Sequence, residues 1–520
     1  MATDPAKATV IRQRVLRSTA SNYAGRFITL GTWFLLTPFI LHQLGTTSYG
    51  LWVLVSSVVA YGSLLDLGIA GAVIKYTAEY RARGEDEQAH RLVATALCLY
   101  SVLGLIAITL SVAIAPIFPS LFNLPPTEHA TATWLVLLMG SSVGISIPCT
   151  TTTAVLQGLH RYDIVNLIST IGVLLAAAAT VVILLLGGGV VGMVAVSIPI
   201  PLVMQVPSIW FINRIAPELR FGWRGAKRSL VRTVFSFSSW LFMGQIAGRL
   251  KARTDEIVIA AFLPLSAVAP YAIALRLSET AQILTNQFMK ILLPLASELH
   301  AEHDQGHLRS LYITSTRLTL AIFLPVGCTL VVLARPLLTL WVGAAYAGFA
   351  HLVLILTLAN LIDTSLWPAG SVLQGMARHR PLAVMSMCTA VANLALSIAL
   401  VRSWGLTGVA LGTLIPIAIE CVGLVLPYTM RVLRISLKQA LKEMFLPALL
   451  PAAPMAVVLH TLQFAVDSSS LLSMMALIGV GFLVYVIGYL SVGASQFERQ
   501  TYLNVTFSMV RFGKARFKCL

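Results

Sequence analysis

The densest group of charges inside a long apolar stretch is Arg249-Leu-Lys-Ala-Arg-Thr-Asp-Glu256. At about 100° per residue, Arg249, Arg253 and Glu256 fall on one stripe of a helix, and Lys251 and Asp255 fall on a second stripe about 200° away. Guanidinium groups bind phosphate oxygens in pairs and remain protonated. If the segment lines a cavity, Arg249 and Arg253 are therefore the best anion ligands in the chain. A straight helix cannot direct both stripes at one cavity, so Lys251 is a further candidate on the second stripe. The alternative is that Arg253–Glu256 and Lys251–Asp255 are structural ion pairs.

Other charges also lie inside apolar stretches, where a charge at mid-bilayer costs at least about 2.5–3.5 kcal/mol. Arg26 is either a surface anchor or a ligand, because it lies early in its stretch and can snorkel. Arg276 lies three residues before Glu279, either as a structural pair or as cavity lining. An acid that a proton or a sodium ion neutralises is a candidate coupling site, and the alternative is a carboxylate bonded to helix-end backbone or to an arginine. The candidate acids are Asp66, Asp255, Glu256, Asp363 and Glu420.

Two further patterns point to metals or disulfides only weakly. His303 and His307 have the i, i+4 spacing of metal ligands, although a solvated helix end is the simpler interpretation. The six cysteines show no paired spacing. We predict no metal site and no cofactor, and leave proton or sodium coupling open.

The composition sets the class of protein that carries these residues. Of the 520 residues, 57% are hydrophobic and 11% are charged, with a mean hydropathy of +0.85. A soluble domain averages about 25% charged residues, and a spanning helix needs about 20 apolar ones. This excludes a water-soluble enzyme and a nucleic-acid-binding domain, and predicts an all-α polytopic membrane protein. We predict 14 spans, near 21–43, 50–74, 92–115, 132–156, 164–186, 190–212, 234–263, 266–293, 310–334, 348–372, 382–401, 405–428, 444–462 and 471–492.

The basic residues orient these spans. Of the 36 Lys and Arg residues, 27 fall on the side that holds both termini, two fall on the other side and seven lie inside spans. Positive charge accumulates on the cytoplasmic side of membrane proteins. Both termini are therefore predicted to be cytoplasmic, in a bacterial cytoplasmic (inner) membrane.

A sparse internal repeat divides the chain. Val155-Leu-Gln-Gly158 recurs as Val372-Leu-Gln-Gly375, and Asp86 and Arg91 recur as Asp304 and Arg309. Two six-helix lobes in parallel repeat explain this register, and transporters built from repeats bind substrate between them near the bilayer midplane. The predicted parts are a cytoplasmic segment, an N-lobe with spans 1–6, a basic linker, a C-lobe with spans 7–12, two appended spans and a basic cytoplasmic tail, at 1–20, 21–212, 213–232, 233–430, 431–492 and 493–520.

The span at 234–263 has two interpretations. It is about 30 residues or about 45 Å long, which is long for one crossing. It is either one long helix or two short helices joined by a loop at 250–256. The loop would change the parity of the spans and move basic residues to the weakly charged side, so we favour the long helix.

Two groups of residues resemble a known family. Leu44-Gly-x-x-x-Tyr49-Gly-Leu-Trp52 with Tyr61-Gly-x-Leu-Leu-Asp-Leu-Gly68 resembles the polysaccharide biosynthesis (O-antigen type) flippases of the multidrug/oligosaccharidyl-lipid/polysaccharide exporter superfamily. Asp255, Tyr271 and Pro294 are similar to that family's second lobe. The resemblance implies two lobes, 12 or 14 helices, alternating access and a cationic cavity. It also implies movement of undecaprenyl-pyrophosphate-linked oligosaccharide to the outer leaflet for cell-surface polysaccharide such as lipopolysaccharide.

Three functions are weighed. The leading one is a flippase for an anionic lipid-linked glycan, with membrane lipids and other polysaccharide-assembly membrane proteins as partners and no nucleic acid. The second is an ion-coupled multidrug-type antiporter of the same fold, which the basic charge near 249–253 disfavours. The third, a polytopic glycosyltransferase or polymerase, lacks a sizeable loop domain, so we do not expect an enzyme.

Overall fold

The structure is a computed structural model that describes residues 5–219, 221–223, 225–378, 380–465 and 470–494. Side chains from residue 25 onward are described, apart from isolated positions and the run 233–244. Secondary structure in these ranges is helical, without strands, and the predicted all-α class is confirmed. The predicted tail, 493–520, lies outside the described residues beyond Ala494.

The first part of the chain forms nine α-helices. Short 3₁₀ segments at Tyr61–Asp66 and Pro126–Glu128 join some of them. The helices are α1 Pro5–Ala60, α2 Ile69–Arg83, α3 Asp86–Ile114, α4 Phe118–Leu121, α5 His129–Gly158, α6 Tyr162–Leu185, α7 Gly189–Ser197, α8 Pro199–Ile215 and α9 Arg228–Phe262.

The second part forms eleven more, with π-helical segments at Ile419–Val425, Ala440–Phe445 and Tyr489–Gly493. These are α10 Val268–Ala301, α11 Gln305–Val332, α12 Ala334–Val342, α13 Ala350–Ser365, α14 Trp367–Gly375, α15 Arg380–Ala418, α16 Leu426–Leu433, α17 Leu437–Gln439, α18 Leu446–Leu449, α19 Ala452–Ala465 and α20 Leu471–Gly488.

Two of these elements, α1 and α15, each consist of two antiparallel helical limbs joined at a glycine. Within α1, Gly45 has φ 72°, and the rings of Trp33 and Trp52 stack with centroids 6.2 Å apart. In a straight helix the Cα atoms of these tryptophans would lie about 28 Å apart. The chain therefore reverses at Gly45, and α1 supplies two antiparallel limbs. Within α15, Gly405 has φ 54°, and the Asn393 amide donates to the Gly412 carbonyl at 3.2 Å, which shows the same reversal.

The membrane-spanning helices are consistent with the predicted 14 spans but do not establish that number. Among the described residues, ten helical stretches are long and apolar enough to cross a membrane. Two of them, Gly25–Arg83 with 59 residues and Arg380–Leu433 with 54, contain these reversals and are long enough for two crossings each. Helices α9 and α10, with 35 and 34 residues, lie outside those ten stretches. The count of 14 spans is consistent with this and stays a prediction.

The predicted span 50–74 is broken in the structure. Leu67 and Gly68 adopt left-handed backbone with φ 50° and 77°, between the 3₁₀ segment Tyr61–Asp66 and α2. Hydropathy does not detect such a break, because the flanking residues are apolar on both sides. The predicted span 348–372 is likewise divided at Leu366, which separates α13 from α14.

The chain packs as two units. The first comprises Met1–Ala272 with Val401–Val409, and the second comprises Ile273–Leu400 with Ala410–Leu520. The first unit therefore includes α9, whereas the sequence repeat assigns 233–430 to the second lobe. A repeat boundary need not coincide with a packing boundary, and the predicted linker at 213–232 stays a prediction. The last helices, predicted as appended, share a core with α11 in the second unit through Leu320, Met455, Leu459 and Leu477.

The hairpin turn that enters α3 recurs in the turn that enters α11. Gly84 N–H donates to the Arg81 carbonyl and Glu85 N–H to the Tyr80 carbonyl, at 3.2 and 2.9 Å. In the second unit His303 N–H donates to His300 and Asp304 N–H to Leu299, at 3.1 and 3.0 Å. Gly84 and His303 both have positive φ, at 73° and 59°.

The repeated Val-Leu-Gln-Gly ends a helix in each unit. The N–H groups of Leu159, His160 and Arg161 bond to the carbonyls of Val155, Gln157 and Leu156, and those of Met376, Ala377 and Arg378 bond identically to Val372, Gln374 and Leu373. Each final glycine packs against an earlier helix. A Cβ on Gly158 would lie 2.8 Å from Thr77 Cβ, and one on Gly375 would lie 2.8 Å from Ala296 Cβ. The sparse sequence repeat thus corresponds to a repeated helix end.

We expect Gly375→Ala to lower the free energy of unfolding by about 1–3 kcal/mol, because the added methyl group overlaps α10. The matched control is Gly370→Ala in the same helix, where a Cβ meets open space. That change should be neutral or stabilise by up to about 1 kcal/mol. Thermal unfolding of purified protein in detergent measures both, and equal melting temperatures for the two variants would contradict the packing.

Asp304 caps α11 and gives stability a dependence on pH. Its carboxylate accepts the His307 backbone N–H at 2.9 Å, and its other oxygen lies 2.6 Å from His307 Nδ1. These hydrogen bonds, the backbone one first, lower the pKa of the Asp304 carboxyl below its usual value. The stabilisation is therefore complete above the unfolded-state pKa of about 3.9 and is lost as pH falls through the lower folded-state pKa.

Asp304→Ala should consequently lower the melting temperature at pH 7, and the difference from the wild type should shrink below about pH 4. Asp304→Asn keeps a hydrogen-bond acceptor and should lower the melting temperature less. The control is Glu302→Ala, an exposed acid in the same turn. A deficit for Asp304→Ala that persists unchanged at low pH would show that the carboxylate charge contributes nothing.

Candidate functional site

The charged segment lies on one unbroken helix. The backbone turns from extended at Lys227 into α9 and leaves it at Leu263, which is extended again and precedes Pro264. The loop at 250–256, weighed above as an alternative, is wrong. The run contains neither glycine nor proline, so nothing in it interrupts the hydrogen bonds of the helix.

Three consecutive residues of α9 are buried and face different neighbours. Thr254, Asp255 and Glu256 are 6%, 4% and 1% exposed. Thr254 Oγ1 donates to the Leu250 carbonyl at 2.5 Å, so the Tyr61 hydroxyl, 2.9 Å away, donates to Thr254. This bond ties α9 to the 3₁₀ segment that precedes the break at Leu67.

Asp255 accepts a hydrogen bond from a residue on α10. The Tyr271 hydroxyl donates to Asp255 Oδ2 at 2.5 Å, and the Tyr271 side chain is fully buried. Both residues belong to the motif on which the family resemblance of the second half depends. The structure brings them together, although the sequence separates them by 16 positions.

Arg253 and Glu256 form an ion pair on the stripe that the helical spacing predicts. Arg253 Nη1 lies 3.4 Å from Glu256 Oε1, and the two side chains are 28% and 1% exposed. This agrees with the structural-pair alternative for these two residues. It also leaves the guanidinium partly accessible while the carboxylate is buried.

Arg249 lies one turn before Arg253 on the same stripe. Its side chain and that of Lys251 are half-buried. Among the residues that the structure describes, no ion pair is found for Arg249. The stripe therefore offers two guanidinium groups, of which Arg253 also neutralises a buried acid.

The other two predicted cations are not part of this cluster. Arg26 is exposed on α1, next to Gly25, where a Cβ would meet Thr170 of α6. Arg276 belongs to the second unit, where its Nη1 lies 3.9 Å from Glu279 and its side chain is 47% exposed.

Asp66 lies at the break in the second predicted span. Its Oδ1 accepts the Ala70 N–H at 3.3 Å and the Tyr100 hydroxyl. This agrees with a carboxylate that binds helix-end backbone. No sequence pattern identifies Tyr100, because the contact joins positions 34 residues apart.

The remaining acids are in the second unit. The Trp367 indole donates to Asp363 Oδ2 at 2.9 Å, where α13 ends and α14 begins. Glu420 is 6% exposed and lies in the π-helical segment Ile419–Val425. Within the described part of the chain, no group of three or more His, Cys, Asp or Glu side chains is arranged to hold a metal ion.

The helical architecture and the buried charges are those of a polytopic membrane transporter, and comparison with known proteins gives the family. The family described as polysaccharide biosynthesis protein matches residues 43–351, which is more than half of the chain. The protein belongs to this family, and the resemblance drawn from its sequence is confirmed.

Two related proteins match most of the chain. One is EpsK of Bacillus subtilis, described as an uncharacterized membrane protein, which is 21% identical over 71% of this chain and 73% of its own. The other is Agl15 of Haloferax volcanii, described as a probable low-salt glycan biosynthesis flippase, which is 21% identical over 78% of this chain and 82% of its own.

Two solved structures share the fold. The lipid II flippase MurJ in an inward closed conformation has a TM-score of 0.71 and 14% identity, covering 91% of this chain and 98% of MurJ. An inward-facing multidrug resistance MATE transporter of the MOP superfamily has a TM-score of 0.67 and 14% identity, covering 78% and 95%. At these identities the likeness establishes the fold alone.

Removal of Arg253 should destabilise the protein more than removal of Arg249. Breaking a buried pair costs about 3–5 kcal/mol, and less is expected here because Arg253 is 28% exposed. The double change Arg253→Ala/Glu256→Gln should recover most of the loss. Thermal unfolding of the three variants measures this, and equal losses for Arg249→Ala and Arg253→Ala would mean that the ion pair is not stabilising.

Proposed function

We propose that this protein moves a lipid-linked oligosaccharide across the cytoplasmic membrane by alternating access, for the synthesis of a cell-surface polysaccharide. The observation that carries the proposal is membership of the polysaccharide biosynthesis family by a chain whose helices follow the MurJ-like fold. The flippase description of Agl15 agrees with it.

The charges on α9 support an anionic substrate. A pyrophosphate linkage presents oxygens that guanidinium groups bind in a bidentate manner. Arg249 and Arg253 lie one helical turn apart, and Lys251 is a further candidate on the second stripe, about 200° around the helix. In the proposal Arg249 is the main ligand, because Arg253 is also engaged by Glu256. Arg26 and Arg276 are secondary candidates.

The acids are proposed to couple transport to protons or sodium ions. Asp66, Asp255 and Asp363 each accept a hydrogen bond from a tyrosine or tryptophan. Binding of a proton or a sodium ion to such a carboxylate weakens that bond. Ion binding is thereby linked to the position of the helix that carries the tyrosine or tryptophan. Glu256 and Glu420 are further candidates because both are buried.

The proposed setting is the bacterial inner membrane, with both termini cytoplasmic, as the distribution of lysine and arginine favours. The partners are the lipid-linked glycan, membrane lipids and other polysaccharide-assembly membrane proteins. No catalytic role is proposed for any residue.

A multidrug-type antiporter is the second candidate, because the MATE transporter shares the fold. A pump for cationic drugs should present an acidic binding surface. The cations on α9 therefore favour the flippase.

The test is exchange between leaflets in liposomes that carry a polyprenyl-pyrophosphate oligosaccharide, followed by an external sugar-modifying enzyme. Arg249→Ala should slow exchange about 10- to 100-fold, since hydrogen bonds to charged groups contribute about 1.5–3 kcal/mol. The matched control is Arg83→Ala, which removes an arginine that is 60% exposed at the end of α2. Leaflet exchange with this variant should proceed at the wild-type rate.

The possible outcomes test the flippase function and the role of Arg249 as a ligand separately. Protein-dependent exchange that is lost in Arg249→Ala supports both. Exchange at the wild-type rate in Arg249→Ala keeps the flippase and rejects Arg249 as a ligand. Absence of exchange, together with drug efflux driven by an ion gradient, favours the antiporter.

A further inference from the structure

A cavity of about 300 Å³ lies inside the first unit, bordered by α1, α5, α6 and α7. None of its 16 lining residues is charged, and none belongs to α9. Most are aliphatic or aromatic, including Trp33, Trp52, Met139, Val143 and Ala177. The cavity is thus separate from the charged stripe described above.

Four of the lining residues carry a hydroxyl group, and two of these groups have partners on their own helices. Thr32 Oγ1 donates to the Ile28 carbonyl at 2.8 Å, and Ser197 Oγ donates to the Met193 carbonyl at 3.0 Å. A buried water needs two to four polar partners. A sugar or a pyrophosphate needs more polar partners than a single water molecule does. The cavity therefore favours an apolar occupant.

One wall is aromatic and is formed by both limbs of α1. The rings of Trp33 and Trp52 stack at an interplanar angle of 19°, and Tyr49 meets Trp52 edge to face at 5.5 Å. The limb carrying Trp52 is closely packed, since a Cβ on Gly50 would lie 2.6 Å from the Leu265 carbonyl oxygen. This wall is a fixed apolar surface.

Lipid-facing residues adjoin the cavity along two helices. On α6, Leu174 and Leu175 are 46% and 45% exposed, between the lining residues Val173 and Ala176. On α1, Leu35 is 75% exposed, next to the lining residue Leu36. Both helices belong to stretches long and apolar enough to span a membrane, so these exposed leucines place bilayer hydrocarbon just outside the cavity.

We propose that this cavity binds a hydrocarbon chain drawn from the membrane, either a phospholipid acyl chain or the polyprenyl chain of a lipid carrier. The site needs only that these helices lie in lipid, so it does not rest on the flippase function. If the chain is polyprenyl, the first unit holds the tail of the carrier apart from the charged stripe.

The experiment is photo-cross-linking of the full chain in phospholipid vesicles. One sample contains a phospholipid with a diazirine in mid-acyl chain, and another contains a polyprenyl phosphate with a terminal diazirine. Peptide mass spectrometry locates the adducts. Labelling is expected on cavity residues of α1 and α5, such as Trp52 and Met139, in addition to lipid-facing Leu174 and Leu175.

Ala177→Phe fills the cavity and should reduce labelling of Trp52 and Met139 at least fivefold. Leu174→Phe, three residues earlier on the lipid-facing side of α6, is the matched control and should leave it unchanged. Val143→Phe fills the cavity from α5, and each variant is compared only if its melting temperature and monodispersity match the wild type.

Labelling confined to lipid-facing residues, or unchanged in both filling variants, overturns the proposal. So does preferential labelling of Trp52 and Met139 by a water-soluble diazirine sugar. Cavity labelling by the phospholipid that excess polyprenyl phosphate does not displace identifies an acyl chain, and displacement identifies an isoprenoid chain. The result does not depend on transport, so a failure of the leaflet-exchange assay leaves it standing.

Discussion

Hydrocarbon offers no hydrogen-bonding partner, so each polar group that these helices carry into the bilayer must be satisfied within the protein. Some side-chain hydroxyls meet this requirement locally, as where Thr37 donates to the Trp33 carbonyl and Ser208 to the Met204 carbonyl, both at 2.8 Å. A break in a span is harder to accommodate, because it frees backbone groups. At Leu67 and Gly68 the carboxylate of Asp66 accepts the Ala70 N–H, and the Tyr100 hydroxyl completes the arrangement.

The same requirement shapes the charged segment of α9. A helix that points Thr254, Asp255 and Glu256 in three directions needs a partner in each, and Tyr61, Tyr271 and Arg253 provide them. The two tyrosines attach α9 to neighbouring elements of the first unit, and the arginine pairs with Glu256 within α9 itself. These contacts also distinguish the two arginines of the stripe, because Arg253 pairs with a buried acid.

The two units form the same kind of turn with different residues. Gly84 and His303 occupy equivalent turns, which share the left-handed backbone and the hydrogen-bond pattern although the residue type differs. At the end of α5 and α14 the final glycine is retained, since each packs against an earlier helix at a distance that leaves no room for a side chain. Close packing therefore restricts the residue type at these two glycines.

Composition and hydropathy alone determined that this is an all-α membrane protein, where its apolar stretches lie and where charge is out of place, since these depend on transfer between water and lipid. Helical spacing placed Arg249, Arg253 and Glu256 on one stripe, and short motifs identified the family. Tertiary structure decided the partners of the buried acids, the break at Leu67, the assignment of α9 to the first unit and the apolar cavity behind Trp33 and Trp52. These arise from contacts between residues distant in the chain, and a single sequence carries no periodic signal for such contacts.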